Sequence, residues 1–278
     1  MGLRDSGGGS SLFFIKRKNL PTFGLISVGL LFVSFESFVA LCLILFPRPP
    51  ITGDMRSLAV SPTAVSDALA THPRDEDRAS VRFLKRLLDA YINGYHNVEV
   101  VSPCQLPANE PAILVCNHVS SLDPMLIQWA CSRLIVWMMA REYYVPGSRW
   151  LFDTIRVIPV ERSRRDVVAT RAAMRALESG HVLGIFPEGR LAEDRKIGQF
   201  QTGVAMMALK SGVGVYPASV EGTMRDRGML EPFLFPQRAR IAFGPRVSLA
   251  GGDATREGIE RATQQIHGAV SALHERLS

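Results

Sequence analysis

From residue 98 onward the chain alternates between two periods, and this alternation constrains its fold more than any other feature. Short β-rich runs, VEVV (98–101), AILVC (112–116), LIVWMMA (134–140), RVIPV (156–160), VLGIF (182–186), VGVYPASV (213–220) and RARIAFG (238–244), are separated by stretches that include several of helical pattern. Asp166–Ser179 is Ala-rich and periodic and stops at Gly180, where a helix end favours a residue able to adopt positive φ. Gln201–Lys210 and Thr255–Leu277 read as two more helices, and PMLIQWA (124–130) is helix-like. Strands apolar at nearly every position have no solvated face. The pattern therefore predicts an α/β fold whose sheet is largely parallel and covered by helices on both faces. In such sheets chemistry gathers in loops that follow strand C-termini.

At about 150 residues per domain, a chain of 278 residues holds one large domain or two small ones. The uneven placement of apolar residues favours one domain plus an anchor. With 47% hydrophobic and 21% charged residues, neither a disordered tail nor a disulfide scaffold is expected. Cys42, Cys104, Cys116 and Cys131 show no C-x-x-C spacing and no His/Cys cluster, which points to a reducing compartment and no structural zinc. The net charge of +6 is too diffuse for a nucleic-acid binder but suits anionic lipid headgroups or phosphorylated substrates.

Residues 1–20 form a basic tail, with Lys16, Arg17 and Lys18 before the apolar segment at 21–46. Within that segment Thr22–Phe46 has 25 residues and one charge, Glu36. A spanning helix needs roughly 20 apolar residues, and no small-residue cleavage site follows, so a retained membrane anchor is expected. Glu36 at the bilayer centre would cost about 2.5 kcal/mol or more. A single span and a hairpin embedded in one leaflet are both compatible with it. A Pro-rich linker is expected over 47–80 and the folded domain over 81–278. The linker leads into Val81–Tyr95, which has Val81, Leu84, Leu87, Leu88 and Tyr91 on one face and Arg82, Lys85 and Arg86 on the other. This helix lies either on a membrane surface or against its own domain.

Three polar turns follow three of the strands. After AILVC comes Asn117-His118-Val119-Ser120-Ser121-Leu122-Asp123-Pro124. His118 and Asp123 would diverge by about 140° on a regular helix, so pairing them needs a turn, and Asp123 as N-cap with Pro124 at N1 supplies one. A carboxylate on one ring nitrogen fixes the tautomer and leaves the other nitrogen as a general base. After VLGIF comes Pro187-Glu188-Gly189-Arg190, and Arg162 follows VIPVE, where a guanidinium is able to fork onto a phosphate.

These residues resemble a known family. NHVSSLD matches the His-x4-Asp signature of the glycerolipid acyltransferases, which include the 1-acylglycerol-3-phosphate acyltransferases. FPEGR matches their third block, VIPVERS resembles the second, and GVYPASVEG, with Pro217 at its proline, resembles the fourth. Gly203 in FQTGVAMMA fits the family's glycine-containing helix start. The resemblance covers about residues 80–250. It implies His118 as base, Asp123 as its partner, and Arg162 with Glu188, Gly189 and Arg190 at the acceptor phosphate. Many members have Thr or Ser and then Arg after the Glu-Gly, whereas here Arg190 follows Gly189 directly. Other lysophospholipid headgroups therefore stand as alternative acceptors.

The implied reaction is acyl transfer from a thioester to the free hydroxyl of a lysophospholipid, 1-acylglycerol-3-phosphate giving phosphatidic acid. Acyl-CoA or acyl-carrier protein serves as co-substrate, with no bound cofactor. Oxyanion donors are expected among the amides near Asp123-Pro124-Met125. Glu188 is expected to orient Arg190 or receive a substrate hydroxyl. Such donors are cytosolic, so the domain should face the cytosol on a membrane, a bacterial inner membrane being the natural setting. An apolar groove for the acyl chain is expected, with none of Trp129, Trp137 and Trp150 assigned to it. Three rival readings remain at this level: Cys116 as an acylated nucleophile, a metal set of His118, Asp123, His181 and Glu188, and a non-catalytic membrane-anchored lipid-binding protein.

Overall fold

A strand of five residues, Ala112–Cys116, is buried along its whole length and forms the axis of the fold. Ile113 and Val115 point into one core, and Ala112, Leu114 and Cys116 into another on the opposite face of the sheet. Such a strand needs cover on both sides, and the chain supplies helices to each.

The computed structural model describes residues 78–144, 149–161, 166–192, 197–224, 231–249 and 253–278. The basic tail, the anchor expected at 21–46, most of the linker and Arg162 lie outside the described residues. In chain order the elements are α1 (Ala79–Tyr95), β1 (Asn97–Ser102), β2 (Ala112–Cys116), α2 (Asp123–Ala130), β3 (Ile135–Ala140), α3 (Arg149–Thr154), β4 (Ile158–Val160), α4 (Val167–Glu178), β5 (Val182–Ile185), α5 (Gly203–Ser211), β6 (Gly214–Glu221), α6 (Glu231–Leu234), β7 (Arg238–Phe243) and α7 (Arg256–Leu277). Among the described residues no helix is long and apolar enough to cross a membrane.

The strands form one sheet in the order β1-β7-β6-β2-β5-β3-β4. Neighbouring strands are parallel except β6 and β7, which run antiparallel. The sheet is thus largely parallel, as the apolar runs predict. α4, α5 and α7 cover one face through Ala173, Ala176 and Leu177, Val204 and Ala208, and Ile266 and Val270. α1 and α2 cover the other through Leu88 and Ile92, and Leu126 and Ile127. Truncating a fully buried leucine such as Leu126 to alanine would cost about 2–5 kcal/mol.

Helix ends follow local chemistry. The Asp166 carboxylate accepts from Ala169 N at 2.9 Å and opens α4, and beyond its end Gly180 takes φ 82°. The Thr255 hydroxyl accepts from Gly258 N at 3.2 Å and opens α7. Most element boundaries lie one or two residues from the sequence reading. α1 starts at Ala79 rather than Val81. β4 starts at Ile158 rather than Arg156, because Val157 N bonds back to Phe152 O at 2.9 Å and Arg156 takes φ 57°, which breaks the extended run.

α1 packs on its own domain: Val81, Leu84, Leu88 and Ile92 are buried, Tyr91 donates to Phe233 O at 2.7 Å, and Lys85 Nζ donates to Cys131 O at 3.2 Å. Its apolar face is spent on these contacts.

Candidate active site

The sheet order explains why two turns distant in sequence meet. β5 lies directly beside β2 and parallel to it, with Val115 opposite Ile185. The residues leaving the two strands therefore emerge together at one edge. His118 N donates to Glu188 Oε1 at 3.0 Å, and Gly198 N donates to Glu188 Oε2 at 2.9 Å. Ala192 N closes the arrangement on His118 O at 2.7 Å. The buried Glu188 carboxylate thus clamps the His118 loop to the segment before α5. The sequence reading gave Glu188 a substrate or an Arg190 role, whereas both its oxygens here are occupied by backbone amides.

Asp123 is the first residue of α2 and is fully buried. Its Oδ2 accepts from Val119 N and Ser120 N, each at 2.8 Å, and from His118 Nδ1 at 3.2 Å. Thr223 Oγ1 donates to Oδ1 at 3.2 Å. The expected forward N-cap does not form: Leu122 holds the cap position, and the carboxylate turns back to collect donors from the loop. The helix start still favours a negative charge there. An Nδ1 that donates to a carboxylate leaves Nε2 as the basic nitrogen. His118 Nε2 has no hydrogen-bond partner among the described residues, and the side chain is 15% exposed.

The imidazole is fixed on its face as well as its edge. Phe186, the residue after β5, stacks on His118 with ring centroids 4.0 Å apart. Trp137 of β3 stacks on Phe186 at 4.8 Å. The stack needs a flat platform, and Gly184 provides it: a Cβ there would lie 2.5 Å from Trp137 Cε3. Phe186, Trp137 and Gly184 were not singled out by spacing, because their signal is register between non-consecutive strands, Trp137 lying opposite Gly184.

Asn117, also missed, staples β2 to β6. Its Nδ2 donates to Val220 O at 3.0 Å, and its Oδ1 accepts from Val220 N at 3.0 Å and Ser219 Oγ at 3.1 Å.

At the other turn Gly189 takes φ 69°, and a Cβ there would meet Gln201 Nε2 at 2.2 Å, so both conformation and space require glycine. Arg190 is exposed beside it. The amides expected as oxyanion donors are engaged elsewhere: Asp123 N bonds Ser120 O and Met125 N bonds Leu122 O, each at 3.0 Å.

Two rival arrangements lose their footing. Cys116 is fully buried, and burial together with the Asp123 and Glu188 charges pushes its thiol well up, away from the thiolate a nucleophile needs. His181 sits at the start of β5, with Nδ1 donating to Ala176 O at 3.2 Å, while Glu188 follows the other end of that strand. Among the described residues no three of His, Cys, Asp and Glu are grouped as a metal site.

Residues 97–221 match the protein family described as Acyltransferase. The chain is 27% identical over 132 residues to a chloroplastic 1-acyl-sn-glycerol-3-phosphate acyltransferase of Arabidopsis thaliana, covering 46% of this chain and 37% of that protein. It is 26% identical over 161 residues to a probable 1-acyl-sn-glycerol-3-phosphate acyltransferase of Mycoplasma pneumoniae, covering 54% of this chain and 58% of that one. The chain thus spans less than two thirds of the length of either relative. Its fold is similar to the crystal structure of the 1-acyl-sn-glycerophosphate acyltransferase PlsC from Thermotoga maritima, with a TM-score of 0.59 and 19% identity over 91% of this chain and 92% of that one. These matches bear out the resemblance carried by the motifs over residues 97–221.

Proposed function

We propose that this chain transfers a fatty acyl group from an acyl thioester to the free hydroxyl of a lysophospholipid, with 1-acylglycerol-3-phosphate as acceptor and phosphatidic acid as product. The observation that carries the proposal is the His118–Asp123 pair, with Nδ1 tied to the carboxylate at 3.2 Å and Nε2 without a hydrogen-bond partner among the described residues.

In this mechanism Nε2 takes the proton of the acceptor hydroxyl as its oxygen attacks the thioester carbonyl. The C–O bond forms, the C–S bond breaks, and the proton passes from His118 to the departing thiolate. Asp123 stabilises the transient imidazolium from the far side of the ring. Arg162 and the exposed Arg190, on the turn shaped by Gly189, hold the acceptor phosphate, while Glu188 holds that turn against the His118 loop. Acyl-CoA or acyl-carrier protein delivers the acyl group, and no bound cofactor takes part. The segment at 21–46 keeps the domain on the cytosolic face of a membrane, where the lysolipid resides.

The direct Gly189–Arg190 succession supports a second reading, in which the acceptor carries another headgroup. One experiment separates them. The full chain in detergent is offered a panel of lysolipids with acyl-CoA and with acyl-carrier protein, and products are read by mass spectrometry. Phosphatidic acid as the dominant product supports the proposal, and raised KM for that acceptor in Arg162→Ala supports the phosphate role. Preference for another lysolipid selects the second reading, and no acylated product from any pair overturns both.

A further inference from the structure

Cys104 and Cys131 take no part in the chemistry described above, yet the fold places their sulfurs 2.9 Å apart. They are separated by 27 residues, and no spacing rule links them. Cys104 lies half-buried in the loop after β1, and Cys131 is buried at the C-terminal end of α2. Cys131 is anchored there: its N–H donates to Gln128 O at 3.3 Å, and its carbonyl accepts from Lys85 Nζ at 3.2 Å. Its thiol donates to Cys104 Sγ.

This geometry divides the labour between the two sulfurs. The bond from Cys131 draws the Cys104 thiol down to about 7, with a backbone bond from Leu106 assisting and burial opposing. Cys131 is pushed up by its bond to Cys104 and by burial. The half-exposed sulfur is therefore the one with thiolate character near neutral pH, and a buried thiol stands behind it. A disulfide bond would require the two sulfurs to close by only about 0.9 Å.

We propose that Cys104 and Cys131 form a redox-active dithiol that a peroxide closes to an intramolecular disulfide, Cys104 attacking and Cys131 resolving. In the first step the Cys104 thiolate attacks a peroxide oxygen, the O–O bond breaks, and Cys104 becomes a sulfenic acid as hydroxide leaves. In the second step Cys131 Sγ attacks that sulfur, the S–S bond forms, the S–O bond breaks, and hydroxide departs with the Cys131 proton as water. The two thiols supply the two electrons that the peroxide takes up. The resulting covalent loop encloses the His118–Asp123 turn and fixes the far end of the helix that Asp123 begins. In a reducing compartment the pair rests as the dithiol and records exposure to oxidant.

The test is made on the full chain in detergent, treated with hydrogen peroxide, alkylated, digested without reduction and mapped by mass spectrometry. The expected result is a peptide pair joined through Cys104 and Cys131 within one molecule, released by a reductant. Cys131→Ser should halt at a sulfenic acid on Cys104 that dimedone traps, and Cys104→Ser should leave Cys131 alkylatable after denaturation. Oxidation of Cys104 to the sulfinic acid with Cys131 still free in the unmutated chain would overturn the proposal. So would a disulfide that joins two molecules, or one made through Cys42 or Cys116. None of these readouts depends on acyl transfer.

Discussion

The imidazole of His118 lies nearly flat on the ring of Phe186, with centroids 4.0 Å apart and planes 15° from parallel. Hydrogen bonding to Asp123 fixes one edge of the imidazole, and the face of Phe186 restrains rotation about that bond. Phe186→Leu removes the planar face while keeping apolar bulk. Turnover should fall by about ten- to a hundredfold, the loss typical of a misplaced catalytic group, with the acceptor KM little changed. Phe186→Tyr, which keeps the ring, should retain most of the activity. Steady-state kinetics of the two variants decide it, and equal losses in both would count against the ring's role.

His118→Ala should lower kcat by roughly 10²–10⁴-fold, the range for removal of a general base. The backbone bond of residue 118 to Glu188 and the bonds of Asp123 to Val119 N and Ser120 N survive the substitution, so the domain should stay folded despite the lost ring contacts. Asp123→Asn tests the partner. An amide oxygen is able to occupy the Oδ2 position and still accept from Val119 N and Ser120 N, while the amide nitrogen faces Thr223 Oγ1, whose hydroxyl turns to accept. The turn is kept and the charge that stabilises the imidazolium is lost. Turnover should therefore drop by about 10²-fold or more in a chain that unfolds close to the native midpoint. An Asn variant with full activity would remove Asp123 from the mechanism.

How much of this was legible beforehand depended on range along the chain. The strand at 112–116 is legible at its true limits because AILVC is apolar at every position, and only a doubly covered strand tolerates that. His118 and Asp123 lie five residues apart, and a local turn accounts for their meeting. Glu188 is 70 residues from His118, and its clamp on the His118 amide arises from β5 inserting beside β2, a strand order that no local pattern encodes. The pairing of Cys104 with Cys131 is illegible in the sequence for the same reason: they meet through the packing of α2 against the loop after β1. Arg156 misled the strand assignment, since an L-residue at φ 57° leaves no mark in composition.

Glu188→Gln separates a structural clamp from a substrate contact. Both carboxylate oxygens accept from backbone N–H groups, His118 N at 3.0 Å and Gly198 N at 2.9 Å. A glutamine must aim its NH2 at one of them, donor against donor. Leaving one such buried donor unsatisfied should cost about 1–3 kcal/mol in urea unfolding. As the His118 loop shifts, kcat should fall more than the acceptor KM rises. An effect confined to KM with unchanged stability would mean that Glu188 touches the acceptor instead.

Gly184→Ala probes the platform beneath the stack. The added methyl would lie 2.5 Å from Trp137 Cε3 and 2.6 Å from Ile135 Cγ2, inside a fully packed strand. Overpacking of this kind costs about 1–3 kcal/mol, and relief comes from tilting Trp137, which unseats Phe186 and with it His118. Stability and turnover should fall together. Pairing the change with Trp137→Phe, which shrinks the ring but leaves the Ile135 contact, should recover part of the stability, as urea unfolding of the single and double variants would register.

A last prediction concerns pH and a residue remote from the chemistry. His96 follows α1, is buried, and accepts from Gln237 N through Nδ1 at 3.1 Å, with Tyr91 and Tyr95 against its ring. Its Nε2 is buried without a hydrogen-bond partner among the described residues. Burial lowers its pKa from 6.5 to about 4. Between those two values the unfolded chain binds a proton at His96 that the folded chain refuses. The unfolded state then holds more protons, so stability rises with pH across this window and is lost as pH falls from 6.5 toward 4. His96→Asn retains an acceptor for Gln237 N and has nothing to titrate. Its stability should be lower throughout, because the ring contacts are gone, yet its decline over the same window should be shallower than that of the native chain. Urea midpoints measured for both proteins across the window give the comparison, and parallel curves would show that His96 is protonated in the folded state after all.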